Sequence, residues 1–323
     1  MNTLILAACL VASTITLPDS GGSAPAPREE PMTLQTPTGA IEGTLTLPAE
    51  GAGPYPVALI IAGSGPTDRD GNSPAGVRTD AYKLIANDLA ARGIATLRYD
   101  KRGIAASRAA GRSESDLRFD DYVRDAEGWL TELRADRRFT TVTVIGHSEG
   151  SLIGMVAAPA AHADGYISLE GAGLPAAVVL RTQLAGKLPP DLAAESERIL
   201  SGLEKGQTTD SVPAPLQPLY RASVQPYLIS WFKYDPATEI AKLQIPALIV
   251  QGTHDAQIGL DEAQRLAKAD PQATLLVLDG MTHVLKDAPA GLAAQTAAYT
   301  DPSLPLDPKL VPAIAEFVER LRR

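Results

Sequence analysis

The chain has 323 residues, 45% of them hydrophobic and 21% charged, with 38 acidic against 29 basic side chains and a formal net charge of −9. That length can enclose one large core, and the acidic balance argues against nucleic acid or an anionic membrane surface as partner, since both call for a basic face. A single cysteine, Cys9, excludes a disulfide framework, so packing alone must hold the fold.

Residues 1–22 read as an export signal. An apolar run over 3–17 is too short to span a bilayer comfortably, and small residues follow at 20–23. No Lys or Arg precedes the run, which departs from the usual basic start. Leu6-Ala7-Ala8-Cys9 has the look of a lipoprotein box, but too little apolar chain precedes Cys9 for lipidation to be favoured. The expectation is a periplasmic or secreted protein with no stable membrane insertion. From Pro18 to Pro31 the composition turns to Pro, Ser, Gly and Ala, so 23–31 read as a linker after the signal, leaving 32–323 as one domain.

The domain opens with a hairpin, residues 32–36 and 41–47 around Pro37-Thr38-Gly39. Thereafter strand and helix patterns alternate. Residues 57–62 form a continuous apolar run, as a strand buried on both faces should. A helix follows over 81–92 and a strand over 94–99. Tyr122, Ala126, Trp129, Leu130 and Leu133 then recur at helical spacing. A β-branched strand over 142–145 leads into a helix over 148–158. Further strands are expected at 166–169, 247–251 and 274–278, with a closing helix at 310–321. This alternation predicts an α/β fold, a mostly parallel sheet covered by helices on both faces. One stretch breaks it: 174–235 has no good strand, and Leu192, Ile199, Leu200 and Leu203 mark a helix there. It reads as an inserted helical cap. The aromatics at its end, Tyr220, Tyr227, Trp231, Phe232 and Tyr234, either pack the cap or line a pocket, and packing is the favoured reading.

Gly146-His147-Ser148-Glu149-Gly150 sits between the β-branched strand and its helix. A serine hydroxyl attacks well only when a base takes its proton and the backbone presents it openly. A sharp strand-to-helix turn presents it, and flanking glycines let the chain pass. Such a serine needs an acid and then a histidine downstream. Of four histidines, His147 lies in the turn, His162 just past its helix, and His254 where the acid is expected, which leaves His283, in a loop after the last strand. Asp255, just past the strand at 247–251, is the favoured acid; Glu170, after the strand at 166–169, is its rival. Backbone N–H groups of Glu149 and Ser64 are the candidate oxyanion donors, Ser64 from the Gly63-Ser64-Gly65-Pro66 loop. The Glu149 side chain reads as a solvated charge at a helix N-terminus. Asp68-Arg69-Asp70-Gly71-Asn72 has the look of a calcium loop, but Ser73 and Thr79 occupy its sixth and twelfth positions, so no metal or cofactor is expected. Asp100-Lys101-Arg102-Gly103, at a strand end, is expected to brace the loops around the turn.

Together the Gly63 to Asn72 segment, Tyr99-Asp100-Lys101-Arg102-Gly103, the Gly146 to Gly150 turn, Tyr234-Asp235-Pro236 and Met281-Thr282-His283-Val284-Leu285-Lys286 resemble bacterial α/β-hydrolases. The similarity lies near the serine aminopeptidase and monoglyceride-lipase-like branch, which includes many exported esterases. It covers most of the chain from about Met32. It implies the α/β-hydrolase fold and a Ser148–Asp255–His283 triad, and is poorly specific for substrate. Two departures stand out: Ala62-Gly63 where many relatives have His-Gly, which leaves the second oxyanion donor open, and Ala105-Ala106-Ser107 where relatives have Gly-x-Ser. The expected reaction is hydrolysis of a small-molecule carboxylic ester through an acyl-enzyme. An amidase, aminopeptidase or thioesterase on the same machinery is the alternative, and a non-catalytic binding protein the remote one.

Overall fold

The computed structural model describes residues 26–322. The export signal expected at 1–22, with Cys9, lies outside them. Eight strands form one sheet: β1 (Arg28–Thr36), β2 (Gly39–Leu47), β3 (Tyr55–Ile61), β4 (Ala95–Tyr99), β5 (Phe139–His147), β6 (Gly165–Leu169), β7 (Ala247–Gly252) and β8 (Thr274–Leu278). Their order is β1-β2-β4-β3-β5-β6-β7-β8. β1 and β2 pair antiparallel, as do β2 and β4; every other pairing is parallel. The hairpin therefore extends one edge of a parallel sheet, and the mostly parallel α/β architecture read from the sequence is what the chain forms.

Part of the expected linker is strand. Residues 28–31, read as linker from their composition, pair with 44–47. Pro31 does not break the pairing because β1 is the edge strand, where a missing N–H costs no ladder bond.

The helices are α1 (Ala81–Ala90), α2 (Phe119–Ala135), α3 (Glu149–Ala160), α4 (Ala176–Leu184), α5 (Pro190–Glu204), α6 (Gln217–Tyr220), α7 (Gln225–Trp231), α8 (Pro236–Ile240), α9 (Leu260–Ala269), α10 (Leu292–Thr300) and α11 (Leu310–Arg320). β3 shows how they cover the sheet. Val57, Leu59 and Ile61 join a core with α2 residues, whereas Ala58 and Ile60 join a second core with α1 and α11. A strand alternates its side chains between faces, so an unbroken apolar run fills both cores at once. Between β6 and β7 the chain is helical, α4 to α8, and side chains of α4 and α7 reach over the sheet's carboxyl edge. Among the described residues no helix is long and apolar enough to cross a membrane.

Candidate active site

The turn from β5 to α3 holds Ser148 at φ 54° and ψ −120°. A non-glycine residue at positive φ stores strain of about 1–3 kcal/mol and persists only where its surroundings over-determine it. Here they do. The Ser148 N–H donates to Leu169 O (2.9 Å), and its carbonyl accepts from Ser151 N–H (3.0 Å). The flanking glycines leave no room for side chains. A Cβ on Gly146 would lie 2.3 Å from Gly150 O, and one on Gly150 would lie 2.2 Å from Ile61 O.

Asp255 follows β7 and His283 follows β8, adjacent strands, so two residues far apart in sequence meet at one sheet edge. The His283 Nδ1–H donates to Asp255 Oδ2 at 2.7 Å. The other carboxylate oxygen accepts backbone N–H groups of Gln257 (2.6 Å) and Ile258 (3.0 Å). Burial pushes the Asp255 carboxyl up, but the His283 charge and the hydrogen bonds from His283, Glu170 and Ile258 outweigh it and hold Asp255 below the usual carboxylate range. Ser148 and His283 line one cavity of about 270 Å³. Among the described residues the Ser148 hydroxyl makes no direct hydrogen bond to the imidazole, a contact that in ligand-free sites often closes only on binding.

Glu170, the rival acid, does not reach the imidazole first. It lies behind Asp255, 0% exposed, accepting from Gly252 N–H (2.8 Å) and the Gln251 amide (2.5 Å). Burial first, then the neighbouring Asp255, push its carboxyl well above the carboxylate range. One atom each from Glu170, Asp255 and His283 fall within 4.8 Å of one another. That donor set is committed among its own members: the imidazole nitrogen facing Asp255 carries the proton and has no lone pair for a metal.

The loop after β3 abuts the serine, with a Cβ on Gly63 falling 3.2 Å from Ser148 Cβ. Among the described residues neither the Ser64 nor the Glu149 backbone N–H donates to another protein group, so both remain available to a ligand oxygen. Sequence reading placed the Glu149 side chain in solvent, and the structure corrects this. Glu149 is 6% exposed; Lys101 Nζ donates to its carboxylate (2.7 Å) and to Gly63 O (2.6 Å), and Tyr227 OH donates to its other oxygen (2.5 Å). Tyr227 of α7 sits over this carboxylate, so the helix start is not at the surface. Lys101 thus braces the turn, as its run was expected to. Tyr227, Tyr82 and the side chain of His147 gave no such signal in the sequence. The 68–72 segment forms a turn instead: Asp68 Oδ1 accepts the N–H groups of Asp70 and Asn72, and Arg69 pairs with Asp100 (2.8 Å).

A second cavity, about 130 Å³, is lined by Ser148, Leu152, Leu174, Val179, Leu180 and Trp231 among others. Of the aromatics at the end of the insertion, Trp231 therefore faces the serine while stacking on Phe119 (6.2 Å), and Tyr220 packs inside, hydrogen-bonded to Ser196.

The family model described as serine aminopeptidase, S33, matches residues 76–205. Esterase EstD of Thermotoga maritima is 27% identical over 248 residues, 76% of this chain and 58% of its own, so the chain spans less than two thirds of that relative's length. Two solved structures share the fold. Est1E from Butyrivibrio proteoclasticus superposes with a TM-score of 0.61 at 18% identity, covering 90% of this chain and 98% of that one. A thermophilic esterase from Thermogutta terrifontis superposes with a TM-score of 0.55 at 17% identity, covering 92% and 100%. A serine on a strained strand-to-helix turn, a mostly parallel sheet of eight strands and these structural neighbours agree: the chain has the α/β-hydrolase fold.

Proposed function

We propose that the protein hydrolyses a carboxylic ester through an acyl-enzyme on Ser148. The His283 imidazole takes the hydroxyl proton as Ser148 Oγ attacks the ester carbon, while Asp255 fixes the tautomer and offsets the imidazolium charge. The carbonyl oxygen becomes an oxyanion that accepts from the Ser64 and Glu149 N–H groups. Collapse breaks the bond to the alcohol oxygen, which takes its proton from His283. Water, deprotonated by the same imidazole, then attacks the acyl carbon and releases the acid and Ser148. The observation that carries this reading is the 2.7 Å bond between His283 and Asp255 beside a cavity that also holds Ser148 at positive φ. The 130 Å³ apolar cavity suits a short acyl chain.

The family model's name raises an aminopeptidase as the second reading. That reaction needs a free carboxylate to hold the substrate's ammonium group. Glu149 is already paired with Lys101, and Glu170 is buried against Asp255. The ester reading needs neither. Assays on p-nitrophenyl esters of short acids beside aminoacyl-p-nitroanilides and matched thioesters test it: ester turnover is expected to dominate, falling about 10³-fold or more in Ser148→Ala. Dominant anilide cleavage would replace it with the aminopeptidase. The same reading takes residues 1–22 as an export signal, tested by the N-terminus of protein recovered from outside the cytoplasm.

A further inference from the structure

We infer that the cleft beyond the oxyanion loop is an anion subsite, which selects esters carrying a carboxylate or phosphate group; this rests on the ester reading above. The cleft, about 470 Å³, is bounded by Gly65, Pro66 and Glu149, and it shares Glu149 with the apolar cavity that Ser148 lines. Its lining is cationic: Lys101, Arg102, Arg108, Arg112 and Arg221 face only two carboxylates, Glu114 and Glu149.

Three of those cations are neutralised. Lys101 pairs with Glu149, Arg102 with Asp125 and Arg221 with Glu114. Arg108 and Arg112 have no carboxylate partner among the described residues, and both carboxylates of the cleft are already engaged. The cleft therefore carries uncompensated positive charge on a chain whose net charge is −9. The segment bearing the two arginines is held in place. Arg102 donates to Ala110 O (3.2 Å), and Gly111 passes so close to Gly103 that a Cβ on it would lie 2.8 Å from the Gly103 Cα. Guanidinium forks match the paired oxygens of a carboxylate or a phosphate, and a concave wall focuses their field on what enters.

Binding tests this on the Ser148→Ala protein, in which the ester stays intact. Calorimetric titrations compare butyl hemisuccinate, its neutral methyl-capped counterpart, and the butyl ester of 3-phosphooxypropionate. At least one anion is expected to bind about three- to tenfold tighter than the neutral ester, as two partly exposed ion pairs supply. The stronger anion identifies the group preferred. The preference is expected to shrink in concentrated salt and to vanish in an added Arg108→Ala/Arg112→Ala pair. Equal binding of neutral and anionic esters, or a preference that survives loss of both arginines, overturns the subsite. Wild-type turnover of the neutral ester is read alongside. Turnover with equal binding sinks the subsite and spares the esterase; an arginine-dependent preference without turnover of any ester does the reverse.

Discussion

The side chain of His147, immediately before the serine, donates from Nε2 to the backbone carbonyl of His283 at 2.7 Å. A carbonyl only accepts, so Nε2 carries the proton and Nδ1 must accept, which it does from Tyr82 OH at 2.7 Å. The Tyr82 oxygen in turn accepts from Gly63 N–H at 3.1 Å. One neutral imidazole thus ties the loop after β3, α1, the serine's turn and the loop bearing His283.

Acid should loosen that tie. Burial, then the charge of His283, lower the His147 pKa to about 3 from 6.5. Between those values the unfolded chain binds the proton and the folded one does not, so stability rises with pH there and is lost on acidification below about 6.5. The shift corresponds to on the order of 5 kcal/mol. Urea denaturation from neutral pH to pH 4 should show a shallower loss for His147→Gln than for wild type. Parallel curves would contradict the neutral assignment.

The ion pair under the loop after β3 makes a different prediction. Lys101 and Glu149 are both buried, and removing one partner leaves the other uncompensated. Lys101→Met should cost about 3–5 kcal/mol of unfolding free energy, and adding Glu149→Gln should restore much of it. A double variant no more stable than the single one would show that the loss came from the Gly63 carbonyl contact alone.

Glu170 should hold its proton to a higher pH than an ordinary carboxylic acid, because burial and then Asp255 raise its pKa. The infrared spectrum should then contain a protonated carboxyl band that disappears in Glu170→Gln. Glu170→Ala removes the acceptor for Gly252 N–H and Gln251, and should cost about 1–3 kcal/mol of stability. A carboxylate band assigned to Glu170 would mean that two charges share the site.

What the sequence made legible was local or followed chain order. The turn at Ser148 is announced by a β-branched strand and two glycines within a few residues. Asp255 and His283 follow from one order of elements, and each sits just past a strand that the apolar pattern marks. What stayed hidden was set by distant partners. The burial of Glu149 comes from Tyr227, 78 residues further on, and no spacing rule connects them. Glu170 reads as a rival acid because both carboxyls end neighbouring strands; only register decides which oxygen meets the imidazole. Residues 28–31 read as linker because they close a Pro-, Ser-, Gly- and Ala-rich run, whereas an edge strand accepts the proline and charges they carry.

The central claim is that Ser148 is the attacking atom and His283 its base. Intact-mass and peptide mapping after a fluorophosphonate probe test it most directly. A single adduct on Ser148 is expected, absent in Ser148→Ala and formed far more slowly in His283→Ala. An adduct on another residue, or an unchanged labelling rate without the imidazole, would contradict the account.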